Sequence, residues 1–325
     1  MSSKTYLITG AAGFIGARFV ETCQARGISV ISVDERLNFK TRTEIRGLHY
    51  GQEIDLNDLF DWLPTHPLQL DAIIHLGAIS DTRESNLEHL QRLNVDYSKN
   101  LWNYATAKKI PFIYASSAAT YGDGAQGYDD DEQLISQLKP LNAYGESKRT
   151  FDLWALDQEK KGNHPPSWAG FKFFNVYGFG ERHKGFMSSV VLHSYDQILK
   201  TGKVVLFKSH REGIADGYQK RDFVSVEDVN EVIHFALHKP IRRGIFNLGT
   251  GQARPFIDLA RSVFQALRVP ENLEFIDTPL SIRDKYQYFT EAKMDRLRSE
   301  GYQKPFLTLE EGVNRYIRRL VEQTS

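Results

Sequence analysis

Through the first half of the chain, short apolar runs alternate with segments of helical period, and glycines and polar turns separate them. Tyr6 to Thr9 reads as a short buried strand, followed by Gly10-Ala-Ala-Gly13-Phe-Ile-Gly16 and an apolar-periodic helix to about Arg26. Ser29 to Val33 is a second strand ending at Asp34. A strand near Leu48 and a helix opening at Asp55-Leu56 come next. Ala72-Ile-Ile-His75-Leu-Gly77-Ala78 reads as a buried strand, and a long helical pattern runs from about Asn86 to Lys109. Phe112 to Gly122 is strand then turn. The acidic stretch Gly122 to Lys139, with Asp129-Asp-Asp-Glu132, reads as a solvated loop that could border the site, and not as a metal site. Helix Tyr144 to Lys161 and strand Ala169 to Phe174 follow. Strands alternating with helices predict a parallel, doubly wound α/β sheet.

The pattern changes after Asn175-Val-Tyr-Gly178. Helices are expected over Met187 to Lys200, Val226 to His238, Pro255 to Leu267, Glu291 to Ser299 and Leu309 to Glu322. Strands are expected at Val204 to Phe207, Lys220 to Val224 and Gly244 to Leu248, the last returning to the large sheet. These elements predict a smaller, interleaved α/β lobe. The expected division is residues 1–175 plus about 225–252 for the first lobe, and 176–224 plus 253–325 for the second. A cleft between two such lobes is where a ligand is expected.

Composition narrows the class. The chain has 325 residues, 41% hydrophobic and 25% charged, as in ordinary globular proteins. Lys+Arg and Asp+Glu both number 41, so no basic field exists to attract nucleic acid or membrane. Cys23 is the single cysteine, which excludes an intramolecular disulfide. No secretory leader pattern and no apolar run of roughly 20 residues is seen, so the cytoplasm is the default expectation.

The candidate chemistry starts at the glycines. Gly10 allows a tight turn, Gly13 lets the backbone approach a pyrophosphate, and Gly16 lets helix and strand pack closely. Strand before and helix after make this a Rossmann-type dinucleotide site, with the phosphates on the helix N-terminus. Asp34 is placed as the ribose ligand and by itself favours NAD. Arg36, Lys40 and Arg42 could instead receive a 2′-phosphate, so both cofactors stand on sequence. The small residues Gly77 and Ala78 leave room for a ligand at the sheet edge, while His75 reads as a satisfied core histidine. Asn94 is a poor helix residue and points to a side-chain hydrogen bond with the chain behind the cofactor.

Tyr144-Gly-Glu-Ser-Lys148 puts a phenol and an ammonium on one helical face. A free phenol titrates near pH 10, so phenolate at pH 7 costs about 4 kcal/mol, and a nearby cation offsets part of that. Such a pair takes a proton from a hydroxyl while a hydride leaves the same carbon. Ser117, at the same sheet edge, could hydrogen-bond the reacting oxygen or be an ordinary turn serine. Isolated Tyr-x-x-x-Lys pairs are common; this one gains meaning from the dinucleotide fold and the serine around it.

Taken together, Gly10-x-x-Gly13-x-x-Gly16, Asp34, Ser117, Tyr144-x-x-x-Lys148 and Arg221-Asp-Phe-Val resemble the extended short-chain dehydrogenase/reductase superfamily. A narrower set resembles the ADP-glyceromanno-heptose 6-epimerase family. It comprises Ile113 to Gly122, Phe173-Phe-Asn-Val-Tyr-Gly178, His183-Lys184-Gly185, Tyr286-Gln-Tyr-Phe-Thr290 and Gly301-Tyr-Gln-Lys-Pro-Phe306. Phe179, Phe186 and Asp81-Thr-Arg83 depart from that family's usual residues.

The narrower resemblance implies inversion of carbon 6 of ADP-D-glycero-D-manno-heptose, for the inner core of lipopolysaccharide. It implies a bound nicotinamide dinucleotide, usually NADP, and a homo-oligomer, with a pentamer as the expected size. The implied catalytic set is Tyr144, Lys148, Ser117 and Lys184. The implied cofactor contacts are Gly10, Gly13, Phe14, Ile15, Gly16, Asp34, Glu35, Arg36, Lys40 and Asp55. Leu76, Gly77, Ala78, Asn94, Tyr144, Lys148, Val176 and Lys184 complete them. The implied substrate contacts are Ser80, Ser117, Asn175, Phe186, His193, Phe207, Lys208, Ser209, Arg221 and Tyr286. Two rivals stand beside this reading: an epimerase or dehydratase for another nucleotide sugar, such as a UDP-sugar 4-epimerase, and a dinucleotide sensor without chemistry.

Overall fold

A computed structural model describes residues 4–66, 69–239, 241–283 and 286–324. The strands are β1 (Thr5–Thr9), β2 (Ser29–Asp34), β3 (Gln52–Asp55), β4 (Ala72–His75), β5 (Phe112–Ser117) and β6 (Trp168–Phe173). They continue as β7 (Asn175–Tyr177), β8 (Val204–Phe207), β9 (Lys220–Ser225), β10 (Gly244–Leu248), β11 (Ala253–Pro255) and β12 (Leu273–Ile276). The helices are α1 (Phe14–Ala25), α2 (Arg36–Thr41), α3 (Leu59–Thr65), α4 (Leu87–Leu90), α5 (Tyr97–Lys108) and α6 (Ala143–Lys160). The second half adds α7 (Val190–Thr201), α8 (Val226–His238), α9 (Phe256–Leu267), α10 (Leu280–Arg283), α11 (Asp295–Ser299) and α12 (Leu309–Thr324).

Seven parallel strands form the large sheet in the order β10-β6-β5-β4-β1-β2-β3. Helices cover both faces, so the central strands β4 and β6 are buried at every position. The strand order reverses between β1 and β4, which opens a crevice at the carboxyl ends of those strands. One large core surrounds this sheet, and Ala292, Met294, Leu297 and Tyr302 belong to it. A second core joins β8, α7, α9 and α12 around Val191, Leu259, Val263, Val313 and Ile317. No described helix is long and apolar enough to cross a membrane.

Several local expectations fail for identifiable reasons. The third strand is not near Leu48. It is β3, whose exposed Gln52 and Glu53 hide the apolar pattern at the sheet edge, and Asp55 ends that strand instead of opening a helix. The helix expected from Met187 starts at Val190, capped by Ser189, because Arg182–Met187 forms a 3-10 turn broken by Gly185 at φ 54°. Of the helix expected over Glu291 to Ser299, only Asp295–Ser299 forms. The short strands β7, β11 and β12 carry too few residues to show a period.

The acidic loop also differs from its expected role. Asp130 is buried and accepts the Asn247 N–H at 2.8 Å; Glu132 accepts the Ile245 N–H at 2.9 Å. These N–H groups lie on the side of β10 away from β6, at the edge of the sheet. The two carboxylates therefore satisfy donors that the ladder leaves unpaired. Burial pushes the Asp130 carboxyl up to about 6.

Candidate active site

The carboxyl ends of β1, β2, β4 and β5 face a cleft of about 1130 Å³. Residues from the Arg182–Met187 turn, α7, β8, β9 and the segment at Tyr286 line its other side. That volume slightly exceeds the range of about 300–1,000 Å³ usual for a single small ligand.

One end is shaped by the glycine turn. Gly10 has φ +67°, and a Cβ there would sit 2.5 Å from the Gly77 nitrogen. A Cβ on Gly16 would sit 2.0 Å from the Gly10 carbonyl oxygen, so α1 could not pack against the turn. Gly13 caps α1 with no side-chain hydrogen bond, and the first turn contains no acid. The free N–H groups and the positive end of the helix dipole are thus left for an anion. At the end of β2, Asp34 accepts hydrogen bonds from Ala12 N (2.9 Å), Glu35 N (2.8 Å) and Asn38 Nδ2 (2.6 Å). The carboxylate is fixed beside the turn, as recognition of a ribose requires. These features fit a dinucleotide.

The centre of the cleft holds the phenol–ammonium pair. Asn142 caps α6 by accepting Gly145 N–H at 2.8 Å, which starts the helix one residue before Tyr144. Tyr144, Lys148 and Ser117 all line the cleft, and the Ser117 hydroxyl acts on the Tyr144 phenol to favour phenolate. Burial raises the Tyr144 pKa, and Ser117 counters only part of that rise. Lys148 donates from Nζ to the Ala115 carbonyl at 2.8 Å, and burial holds its ammonium down at about 8. In the polypeptide alone, desolvation of the phenol outweighs the influences that favour phenolate.

Lys184 comes from the far side. Its Nζ lies 5.5 Å from the centre of the Phe14 ring, at the start of α1. Burial lowers its pKa, while Glu181 opposes that shift. Glu181 is fully buried and accepts from Ser189 N at 2.7 Å and Ser189 Oγ at 2.5 Å. It thereby ties the Lys184 turn to the N-terminus of α7. Sequence reasoning missed Glu181, since an isolated glutamate in a loop carries no burial signal.

Most of the predicted residues converge. Phe14, Ile15, Glu35, Leu76, Gly77, Ala78, Ser80, Asn175, Val176, Phe186, His193, Phe207, Arg221 and Tyr286 line the cleft with the groups above. Arg221 is buried, and its guanidinium donates to the Lys220 and Gln287 carbonyls, which fixes its direction. Six residues do not reach the wall. Arg36 is exposed and pairs with Asp58 at 3.2 Å, Lys40 points to solvent on α2, and Asp55 accepts the Arg36 N–H at 3.0 Å. Lys208 lies 3.6 Å from Asp277, and the Ser209 N–H binds Asp216. Asn94 stands behind the wall in a π turn, Gln91–Asp96, exchanging hydrogen bonds with the Ile79 backbone at 2.8 and 3.0 Å. That matches its expected part. Arg42 does line the cleft, and its buried Nε has no partner among the described residues.

Residues 6–249 match the NAD dependent epimerase/dehydratase family. The chain is 44% identical over 322 residues to ADP-L-glycero-D-manno-heptose-6-epimerase of Fusobacterium nucleatum, covering 96% of each. It is 42% identical over 319 residues to the protein of the same name from Nitratidesulfovibrio vulgaris, covering 97% of each. The crystal structure of Helicobacter pylori ADP-L-glycero-D-manno-heptose-6-epimerase superimposes with a TM-score of 0.78 at 27% identity, covering 98% of this chain and 96% of that one. The family uses a nicotinamide cofactor, and the glycine-turn end of the cleft has the features that fit it. By sequence and by fold, this chain belongs to the ADP-L-glycero-D-manno-heptose-6-epimerase family, within the NAD dependent epimerases and dehydratases.

Proposed function

We propose that this protein converts ADP-D-glycero-D-manno-heptose to ADP-L-glycero-D-manno-heptose by transient oxidation of carbon 6 to a ketone, for lipopolysaccharide inner-core synthesis. The observation that carries the reading is one cleft lined by two proton-transfer groups from separate elements, Tyr144 on α6 and Lys184 on the Arg182–Met187 turn.

Carbon 6 bears a hydroxyl and is not acidic, so direct deprotonation is unproductive. A bound nicotinamide supplies a hydride acceptor and donor on one face. Inversion then requires the ketone to present both faces in turn, and its oxygen meets a different group each time. Tyr144 takes or returns the proton in one orientation and Lys184 in the other. Ser117 holds the reacting oxygen. The Lys148 ammonium binds the ribose and keeps positive charge near the phenol. Arg221, with its planar fork, suits the pyrophosphate of the nucleotide sugar. Asn175, Phe186, His193 and Tyr286 shape the sugar end.

The cofactor we assign is NADP. Arg42, at the Asp34 end of the cleft with an unpartnered Nε, is the cation suited to a 2′-phosphate, whereas Arg36 is engaged by Asp58. Residues 1–175 plus about 225–252 are read as the dinucleotide lobe and the remainder as the substrate lobe; the second core lies within the latter, while Ala292, Met294, Leu297 and Tyr302 of the remainder pack into the first core. The protein is read as a cytoplasmic homo-oligomer.

The test is incubation with ADP-D-glycero-D-manno-heptose and NMR at carbon 6. Inversion supports the assignment. No inversion, with turnover of a UDP-sugar instead, overturns it.

A further inference from the structure

Beneath Tyr144 and Lys148 lies an ion pair that the proposed reaction does not use. Asp152 follows Lys148 by four residues and Tyr144 by eight, so all three share one face of α6. Asp152 and Lys172, the latter on β6, are both fully buried, with Nζ 2.8 Å from Oδ2. Asp152 also accepts from Ser116 Oγ at 2.7 Å and from Tyr114 OH at 3.0 Å, both on β5. Lys172 donates to Thr120 Oγ1 at 2.6 Å, and Thr120 donates to the Ser117 carbonyl at 2.8 Å. The chain of contacts runs from the helix that carries Tyr144 to the turn that carries Ser117.

A buried pair of this kind is weak evidence for stability, because desolvation cancels much of the attraction. Its geometry is more informative. The pair itself joins α6 to β6, and the other contacts of Asp152 and Lys172 tie those two elements to the last four residues of β5 or the turn after it. The close approach of α6 to that turn is independently visible at Gly145, where a Cβ would lie 2.7 Å from the Ala119 carbonyl oxygen.

We propose that Asp152 and Lys172 are positioning residues that set the approach of the Ser117 hydroxyl to the Tyr144 phenol. They lie outside the cleft wall and act on position through the β5 turn, beside the direct effect of the Asp152 charge, which raises the pKa of both Tyr144 and Lys148. This inference rests on the proposed roles of Ser117 and Tyr144.

The test compares wild type, Ser117→Ala, the apolar pair Asp152→Leu/Lys172→Met, and the three changes combined. Replacing both charges together leaves no uncompensated ion, so the paired variant is expected to fold. Its kcat should fall on the order of tenfold to a hundredfold with KM little changed. Lys172→Arg, which keeps the charge and the donors, should restore most of the rate relative to Lys172→Met. In the combined variant, Ser117→Ala should cost much less than it does in wild type, because the contact it removes is already lost. The same coupling is read without substrate from ¹³Cζ-tyrosine NMR, with the Tyr144 resonance assigned by its absence in Tyr144→Phe. Ser117→Ala should move that resonance in wild type and leave it in place in the paired variant. Should the paired variant not fold, Asp152→Asn is carried through the same cycle. Full kcat in the charge-free variant, or additive effects of Ser117→Ala in rate and resonance, would overturn the proposal. Wild-type turnover of the ADP-heptose separately decides the underlying reaction, and the NMR cycle stands without it.

Discussion

Lys148→Met should change the pH dependence of stability in a defined direction. Lys148 is 5% exposed, and burial holds its pKa at about 8 against an ordinary 10.5. A gap of roughly 2.5 on the pH scale corresponds to about 3 kcal/mol of preference for the neutral form in the folded chain. The unfolded chain holds this proton more tightly. Between pH 8 and 10.5 it therefore binds more protons than the native state, and native stability rises with pH across that window. Below pH 8 that full penalty of about 3 kcal/mol applies. Methionine has no proton to lose. Urea denaturation of wild type and variant, both freed of nucleotide, should show the stability difference moving by about 3 kcal/mol in favour of wild type between pH 7 and 10.5. Other titrating groups are common to both proteins and cancel. A difference that stays constant, or moves the other way, would refute a desolvated Lys148. The same variant should be nearly inactive, so that a cation destabilising to the fold is retained for chemistry.

Three further outcomes are expected. Tyr144→Phe and Lys184→Met should each slow epimerisation about 10²-fold or more while dinucleotide stays bound, as measured by turnover and by cofactor fluorescence. Arg42→Ala should weaken NADP by about tenfold or more and leave NAD nearly unchanged in titration calorimetry, the loss expected when a charge-assisted contact of about 1.5–3 kcal/mol disappears. Gly16→Ala should abolish dinucleotide binding, because its Cβ would meet the Gly10 carbonyl oxygen at 2.0 Å; unaltered affinity would show that the turn can shift.

The parts of this fold that were legible in sequence are those where burial is continuous or a spacing is imposed by chemistry. The apolar run at Ala72 to His75 and the glycines at Gly10, Gly13 and Gly16 announce the sheet and its ligand turn, because both faces of β4 are covered and a Cβ at Gly10 or Gly16 collides. Tyr144 and Lys148 are legible because a helix fixes their relation. Edge elements are not: β3 presents Gln52 and Glu53 to solvent, and Asp130 and Glu132 look like surface acids until β10 supplies the N–H groups they bind. Long-range pairs are equally silent. Asp152 and Lys172 lie on separate elements, and neither position reveals that the other side chain neutralises it. Lys184 took its expected place from resemblance; as a lone lysine next to glycine it would have been assigned to the surface.

Oxidation and return at carbon 6 is the central claim, and isotope retention tests it most directly. ADP-D-glycero-D-manno-heptose carrying deuterium at carbon 6 is converted by the wild-type enzyme in ordinary water, and the product is read by NMR and mass spectrometry. Inverted product that keeps its deuterium, with no label entering carbon 6 when unlabelled substrate turns over in D₂O, is the predicted result. Inversion accompanied by loss of the deuterium to solvent would contradict it.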